Sequence, residues 1–158
     1  MNDILGGGGG LSSRLFDEVR EKNGLVYHVG SSQMMLPKGG VFMVQFQTDN
    51  AKVQKALALV KAELERMRTT VPPADEFNDV VSYMTGSFPL RVDSNAKILD
   101  YLTTMQAEDL GVDYLEQWVA HVKAVTPADV MRVAARLIQP EGMAVTIVGA
   151  GPALKAQW

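Results

Sequence analysis

Residues 12–48 read SSRLFDEVREKNGLVYHVGSSQMMLPKGGVFMVQFQT, and this stretch decides the fold. Its first part predicts a helix, because Ser12 or Ser13 can serve as the N-cap and acidic side chains follow in the early turns. Apolar side chains recur at spacings of three and four residues, as on the buried face of a helix. The helix is expected to end at Asn23-Gly24, since glycine is favoured in the left-handed conformation that closes helices.

The second part of the same stretch predicts an antiparallel β-hairpin. Residues 25 to about 36 are rich in β-branched and aromatic side chains, which favour strands. Residues 37–40 (PKGG) form a turn cluster, and residues 41–48 (VFMVQFQT) alternate apolar and polar side chains. Two such runs joined by a short turn are expected to pair.

Helices dominate the remainder of the sequence. Apolar residues at spacings of four and three predict a long helix after Asp49 or Asn50. Further helices are expected to begin at Asp75, at Asp93 or Ser94, at Asp113 and at Pro127 with Thr126 as its cap, and to end near Ser87, Asp109, Lys123 and before Pro140. Residues 143–148 (MAVTIV) predict one final, buried strand.

The order of these elements predicts the fold class. A helix, a hairpin, a run of helices and a last strand are typical of an α+β domain, in which helices are layered on one face of an antiparallel sheet. With 158 residues the chain suits one domain, so residues 1–158 are expected to fold as a single domain.

The composition excludes several classes of protein. The net charge is −3 with basic residues spread along the chain, which argues against a nucleic-acid partner. No apolar run approaches the roughly 20 residues that a membrane-spanning helix needs. The absence of cysteine rules out a disulfide framework, a thiolate zinc site and a cysteine nucleophile, and it is compatible with cytoplasm, mitochondrial matrix or periplasm.

The sequence contains no complete catalytic motif. The two histidines, His28 and His121, lie far apart in the sequence, and neither has a second ligand at the spacing that converges on a metal. The sequence also contains no G-x-S-x-G motif, the nucleophile elbow of serine hydrolases. The glycine run 6–10 lacks the G-K-[ST] ending of a phosphate-binding loop. No metal site and no independent catalytic activity are therefore expected in this chain.

Arg20 and Tyr27 form a candidate pair of binding residues. Arg20 lies late in the first helix and Tyr27 early in the following strand, so a turn at Gly24 could bring them to one rim. A guanidinium and a phenol can together bind a peptide carbonyl or the oxyanion formed from it. The alternative is that Arg20 pairs with Glu21 or Asp17 on a solvated face while Tyr27 is an ordinary strand residue.

Three segments carry a resemblance to a known family. They are residues 2–5 (NDIL) before the glycines, residues 12–16 (SSRLF) and residues 18–27 (EVREKNGLVY). Together they resemble the N-x-I-L-G-G-G, S-R-L-F and E-V-R-E-K-x-G-L-x-Y signature of the pitrilysin/insulinase (inverzincin) metallopeptidases. Weaker agreements extend over nearly the whole chain.

The resemblance implies a non-catalytic, C-terminal-type domain with the fold of LuxS and processing-peptidase-like domains. In that family a catalytic domain carries H-x-x-E-H and zinc, and a second domain closes over it around a peptide substrate. The family positions that reach across to the substrate and the tetrahedral intermediate correspond to Arg20 and Tyr27. Zinc is accordingly expected in a partner domain or subunit, and the bacterial members suggest the periplasm.

Two departures from the family pattern lead to further expectations. The glycine run is longer than usual, and family domains begin some 50 to 70 residues earlier, with a strand or two and a helix that ends at residues 2–5. Uncovered strand edges would favour self-association of this chain.

The alternatives to a peptidase component are a structural scaffold of the same fold without proteolysis, and a peptide-binding module that captures extended chains by β-addition.

Overall fold

A computed structural model describes residues 1–7, 12–36 and 38–149. The chain divides into two compact units, the first formed by residues up to 72 and from 128 onward, the second by residues 73–127. The first unit combines a β-hairpin with helices, and the second is helical. The predicted α+β class is confirmed.

The hairpin forms as the sequence predicts. Strand β1 (Val26–Leu36) pairs antiparallel with strand β2 (Gly39–Thr48), and these two strands form the sheet of the described residues. Strand β2 begins two residues earlier than predicted, because Gly39 and Gly40 pair with Leu36 and Met35 instead of remaining in the turn. Pro37 lies outside the described residues.

Besides short 3-10 turns, four α- or π-helical segments accompany the hairpin in the described part of the first unit. They are α1 (Asn2–Leu5), a π-helix (Phe16–Glu21), α2 (Val53–Thr69) and α6 (Pro127–Leu137). The α1 helix and the π-helix pack on β1 and α2. The fully buried side chains at the centre of this unit come from all of these helices or their ends: Leu5, Leu15, Val19, Leu64, Met67 and Ile138.

The start of the glycine run belongs to this core. The backbone N–H of Ser31, in the middle of β1, donates to the carbonyl of Gly6 at 2.9 Å, and its hydroxyl lies 2.7 Å from Oδ1 of Asn2. A Cβ on Gly6 would lie 2.8 Å from that same nitrogen and 2.9 Å from Cδ1 of Leu15. Glycine is therefore needed here for a close approach of two backbones, and residues 6–7 are not a linker.

The second unit contains helices α3 (Ala74–Ser87), α4 (Asn95–Ala107) and α5 (Tyr114–Ala124). Ser94 caps α4 as predicted, since its hydroxyl accepts from the N–H of Lys97 at 3.3 Å. The predicted cap Asp75 is wrong: α3 already begins at Ala74 after Pro73, whose fixed φ suits a helix start, and Asp75 lies within the first turn. Phe88 stacks on Trp118 with 4.5 Å between ring centroids.

The predicted last strand is not formed. Met143, Val145 and Ile147 are half-buried while their neighbours are exposed, which is the alternation of a strand, yet residues 143–149 make no ladder with any described segment. The segment runs beside β2 across a cleft of about 540 Å³. A strand requires hydrogen-bonded neighbours, and alternation in the sequence does not provide them. The prediction for residues 143–148 is therefore wrong.

Candidate functional site

Arg20 lies on a helix of unusual geometry. The N–H of Lys22 donates to the carbonyl of Asp17 at 2.9 Å, five residues back, as in a π-helix. The hydroxyl of Ser13 accepts from the N–H of Phe16 at 3.4 Å and so provides the predicted cap. Short π-helical segments occur frequently at functional sites. The sequence predicted a helix here but contains no signal for its π-helical form.

The turn after this helix follows the sequence closely. Gly24 has φ +57°, the left-handed conformation that glycine adopts at little cost, and its N–H donates to the carbonyl of Arg20 at 2.8 Å. The chain therefore reverses direction within two residues of the helix end. Strand β1 begins immediately afterwards, so Arg20 and Tyr27 are carried on directly adjoining elements.

Tyr27 occupies a β-bulge. Val26 pairs with Thr48 and His28 with Gln47, so Tyr27 is an extra residue without a partner of its own on β2. Two consecutive side chains, Tyr27 and His28, consequently point to solvent, and the tyrosine is 85% exposed. Bulges re-aim side chains and are over-represented next to active sites. Alternation in the sequence does not indicate this bulge.

The two irregular elements bring Arg20 and Tyr27 together. The Cζ atom of Arg20 lies 5.4 Å from the centroid of the Tyr27 ring and 4.6 Å from that of Phe16. Both distances are within the range of cation–π attraction, which restricts the guanidinium at a partly exposed position. The sequence-predicted pair is thus assembled, with Phe16 as a third member that sequence reasoning missed.

The ion pair considered as an alternative is weak. Nε of Arg20 lies 4.0 Å from Oε1 of Glu21, at the outer limit of a salt bridge, and the Glu21 side chain is 59% exposed. Pairs of this kind contribute little in water. The aromatic contacts therefore orient Arg20 more than Glu21 does.

A buried cluster of charged side chains connects the helix that bears Arg20 to α2. Arg14, at the start of the helix, and Glu63, on α2, are 5% and 7% exposed, and Nη1 of Arg66 lies 3.5 Å from Oε1 of Glu63. Burial raises the pKa of the Glu63 carboxyl above its ordinary value, against the charges of Arg66 and Arg14, which lower it. The cluster anchors the helix that bears Arg20 to the long helix of the first unit.

On the exposed side of the same helix, Lys22 donates to the Glu18 carboxylate one turn earlier. This hydrogen bond raises the pKa of Lys22, and the charge of Glu18 acts in the same direction. The side-chain amide of Asn23 donates to the Glu18 carbonyl at 2.8 Å. These contacts fix the end of the helix immediately before the turn.

The histidines take no part in this arrangement. His28 and His121 are both exposed, and within residues 1–7, 12–36 and 38–149 no three His, Cys, Asp or Glu side chains are placed to hold a metal ion. The described residues therefore do not form a zinc site. In the same part of the chain, no helix is long and apolar enough to cross a bilayer.

The arrangement can bind an electron-rich oxygen. The guanidinium offers N–H donors in a planar fork, and the phenol offers one O–H donor. Because both groups lie at an exposed rim, an outside ligand can reach them. The pair can therefore bind such an oxygen and stabilise negative charge on it.

Comparisons with known proteins show the family to which the chain belongs. The family model described as "Peptidase M16 inactive domain" matches residues 1–84. An uncharacterised zinc protease of Streptomyces coelicolor is 32% identical over 137 residues, which cover 85% of this chain and 29% of that protein. The chain thus spans under a third of the length of this curated relative.

Solved structures agree with the family match. The chain is similar to a peptidase M16 inactive domain from Pseudomonas fluorescens, with a TM-score of 0.78 and 32% identity over 86% of this chain and 32% of that one. The inactive peptidase domain of a putative zinc protease from Bordetella parapertussis has the same fold, with a TM-score of 0.72 and 19% identity over 89% of this chain and 75% of that one.

Proposed function

Since the chain belongs to the peptidase M16 inactive-domain family, we propose that it is the non-catalytic component of a zinc peptidase and completes the active site of a catalytic partner. The partner is a zinc-binding domain or subunit of the same family, and the substrate is a peptide. In this function the chain contributes Arg20 and Tyr27.

One observation carries the proposal. Arg20 and Tyr27 meet at an exposed rim with 5.4 Å between Cζ and the ring centroid, and each is placed there by a departure from regular backbone geometry. Short π-helical segments and β-bulges both occur frequently next to functional sites. The bulge presents the Tyr27 ring to solvent, where it is 85% exposed.

The two groups suit different steps of peptide cleavage. The Arg20 fork donates to the carbonyl oxygen of the substrate backbone and holds the scissile bond in place. The Tyr27 hydroxyl donates to the oxygen that becomes negatively charged when water adds to that carbonyl. Neither group transfers a proton permanently, and neither forms a covalent bond to the substrate.

The metal belongs to the partner. Within the described residues no group of side chains could hold zinc, whereas a zinc ion in the catalytic domain would supply the activated water. In this arrangement the chain supplies groups that bind the substrate, and the partner supplies the metal.

The test uses the complete peptidase, with this chain and its catalytic partner present. Tyr27→Phe removes only the hydroxyl and keeps the ring that contacts Arg20, so kcat is expected to fall about 100- to 1,000-fold with little change in KM. Arg20→Lys keeps the charge but loses the planar fork, so both kcat and KM are expected to worsen. Peptide cleavage and zinc content are measured for each variant.

Matched controls come from the same chain. Tyr83→Phe alters another exposed tyrosine, and Arg132→Lys alters an arginine that pairs with Asp129 at the surface. Both should cleave peptides at the wild-type rate. Wild-type rates for Tyr27→Phe and Arg20→Lys as well would refute the proposed roles and favour the structural-scaffold alternative.

A further inference from the structure

Phe16 differs in its burial from the other large apolar side chains of its helix. Leu15 and Val19 are fully buried in the core of the first unit, whereas Phe16 is only half-buried. It lies four residues before Arg20, and side chains at this spacing are neighbours on one face of a helix. The Phe16 ring therefore lies beside the arginine, at the edge of the core.

Two aromatic rings from two different elements contact the Arg20 guanidinium. Its Cζ atom lies 4.6 Å from the centroid of Phe16 and 5.4 Å from that of Tyr27. Phe16 belongs to the π-helix and Tyr27 to β1. Between them, Lys22 donates to Glu18 and fixes the end of the helix. The guanidinium is therefore held by groups that are themselves held in place.

An aromatic contact differs from an ion pair in the hydrogen-bond donors that it leaves available. A ring face attracts the cation through its quadrupole, so the N–H groups of the fork remain available to an oxygen ligand. A carboxylate would accept those hydrogen bonds and neutralise the charge. Oε1 of Glu21 lies 4.0 Å from Nε of Arg20, which is too long for a hydrogen bond.

The Arg20 side chain is long and partly exposed, so its freedom matters for binding. An arginine side chain loses rotamer freedom when it is immobilised, and a ligand that has to immobilise it binds more weakly. The Arg20 side chain is 32% exposed. Contacts that restrict it before a ligand arrives therefore favour binding.

We propose that Phe16 is a positioning residue of the peptidase: its ring holds the Arg20 guanidinium and leaves the N–H fork free for the carbonyl oxygen of the substrate. Phe16 itself does not touch the substrate. The inference rests on the proposed function of Arg20 and extends it to a residue that has to be aromatic.

The test uses the complete peptidase with its catalytic partner, and the measured quantity is kcat/KM for peptide cleavage. Phe16→Leu keeps an apolar side chain but removes the ring, so kcat/KM should fall about 3- to 30-fold. Phe16→Trp keeps an aromatic face and should stay within about twofold of the wild-type value. Phe77→Leu makes the same substitution at a half-buried position on α3 and should have no effect.

Phe16→Glu separates positioning from donor availability. A glutamate four residues before an arginine forms a favourable helix pair, so the guanidinium would still be held. The carboxylate would occupy the donors, and kcat/KM should fall further than for Phe16→Leu. Higher activity of Phe16→Glu than of Phe16→Leu would overturn the requirement for a free fork.

A double-mutant cycle tests whether the ring acts through Arg20. In an Arg20→Gln background, Phe16→Leu should cause no further loss of kcat/KM. Equal losses in both backgrounds would show that Phe16 has a general structural role and would overturn the proposal. Urea midpoints show whether each variant is folded. If Phe16→Leu does not fold, the comparison of Phe16→Trp with Phe16→Glu decides.

Failure of this inference can be told apart from failure of the proposed function. A loss for Arg20→Gln together with wild-type activity for Phe16→Leu would overturn the role of Phe16 and leave that of Arg20. Equal losses for Phe16→Trp and Phe16→Leu would show that the shape of phenylalanine matters and not its aromatic face. Wild-type activity for Arg20→Gln would overturn both roles.

Discussion

At the scale of single residues, the most constrained group is Glu63. Its carboxyl is buried between Arg66 and the helix that starts at Arg14, and its Oε2 atom accepts no hydrogen bond among the described residues. A buried carboxylate is stable only with strong compensation. Here desolvation outweighs the charges of the two arginines, so the pKa of the Glu63 carboxyl is raised above its ordinary value.

This shift predicts how stability depends on pH. Because the folded-state pKa of Glu63 lies above the unfolded value, its contribution to stability is fully present below the unfolded pKa and is lost as pH rises through the folded pKa. Glu63→Gln should flatten that part of the profile. The measurement is the urea midpoint at a series of pH values from about 4 upward.

The matched control for this experiment is Glu65→Gln, an exposed position on the same helix that pairs with Arg68. Its pH profile should follow that of the wild-type protein. Parallel profiles for Glu63→Gln and the wild type would contradict the assignment.

At the scale of elements, the docking of α1 on β1 rests on Gly6. A Cβ at this position would meet the backbone nitrogen of Ser31 at 2.8 Å as well as Cδ1 of Leu15 at 2.9 Å, and the paired backbone of β1 cannot yield easily. Gly6→Ala should therefore destabilise the protein by about 1–3 kcal/mol, as measured by urea denaturation.

Gly86 provides the opposite case for comparison. It lies within α3, and a Cβ there would meet nothing within 4 Å. Gly86→Ala should stabilise the protein by about 0.5–1 kcal/mol, because alanine favours helix and restricts the unfolded chain. Equal effects of the two substitutions would contradict the contact at Gly6.

The elements also show what the sequence could predict. The hairpin and the helix starts at Ser94 and Pro127 follow from local signals, namely alternation, capping residues and glycine. Arg20 and Tyr27 could be placed on either side of the turn at Gly24 from the sequence, and the family signature added the expectation of a shared role, which stays a prediction. The bulge and the π-helix have no local signature, because both depend on how the helix and hairpin pack. Residues 143–148 have the pattern of a strand, but a strand is completed by a neighbour distant in sequence.

At the scale of the whole molecule, the end of the hairpin exposes a group of apolar side chains. Met34, Met35 and Leu36 on β1 and Val41 and Met43 on β2 are 43–67% exposed. Strand β2 carries no charged residue that would discourage contact between edges. Exposed apolar patches of this kind favour association.

The isolated chain is therefore expected to self-associate at tens of micromolar, in a manner that Met35→Lys reduces and Val44→Lys does not. Sedimentation velocity at several concentrations measures this directly. Lys52→Glu, which changes a charge away from the hairpin end, serves as the control for net-charge effects. A clean monomer of the wild-type chain at these concentrations would contradict the expectation.

The bulge at Tyr27 and the π-helix at Arg20 share a further consequence for reading related sequences. Each accommodates a residue that a regular element of the same span would not contain. Removing one residue from the helix would rotate every later position by about 100° around its axis, and removing one from the strand would turn the phenol to the opposite face. A relative that keeps the arginine and the tyrosine but changes the spacing between them loses the pair, so the number of residues between them is as informative as their identity.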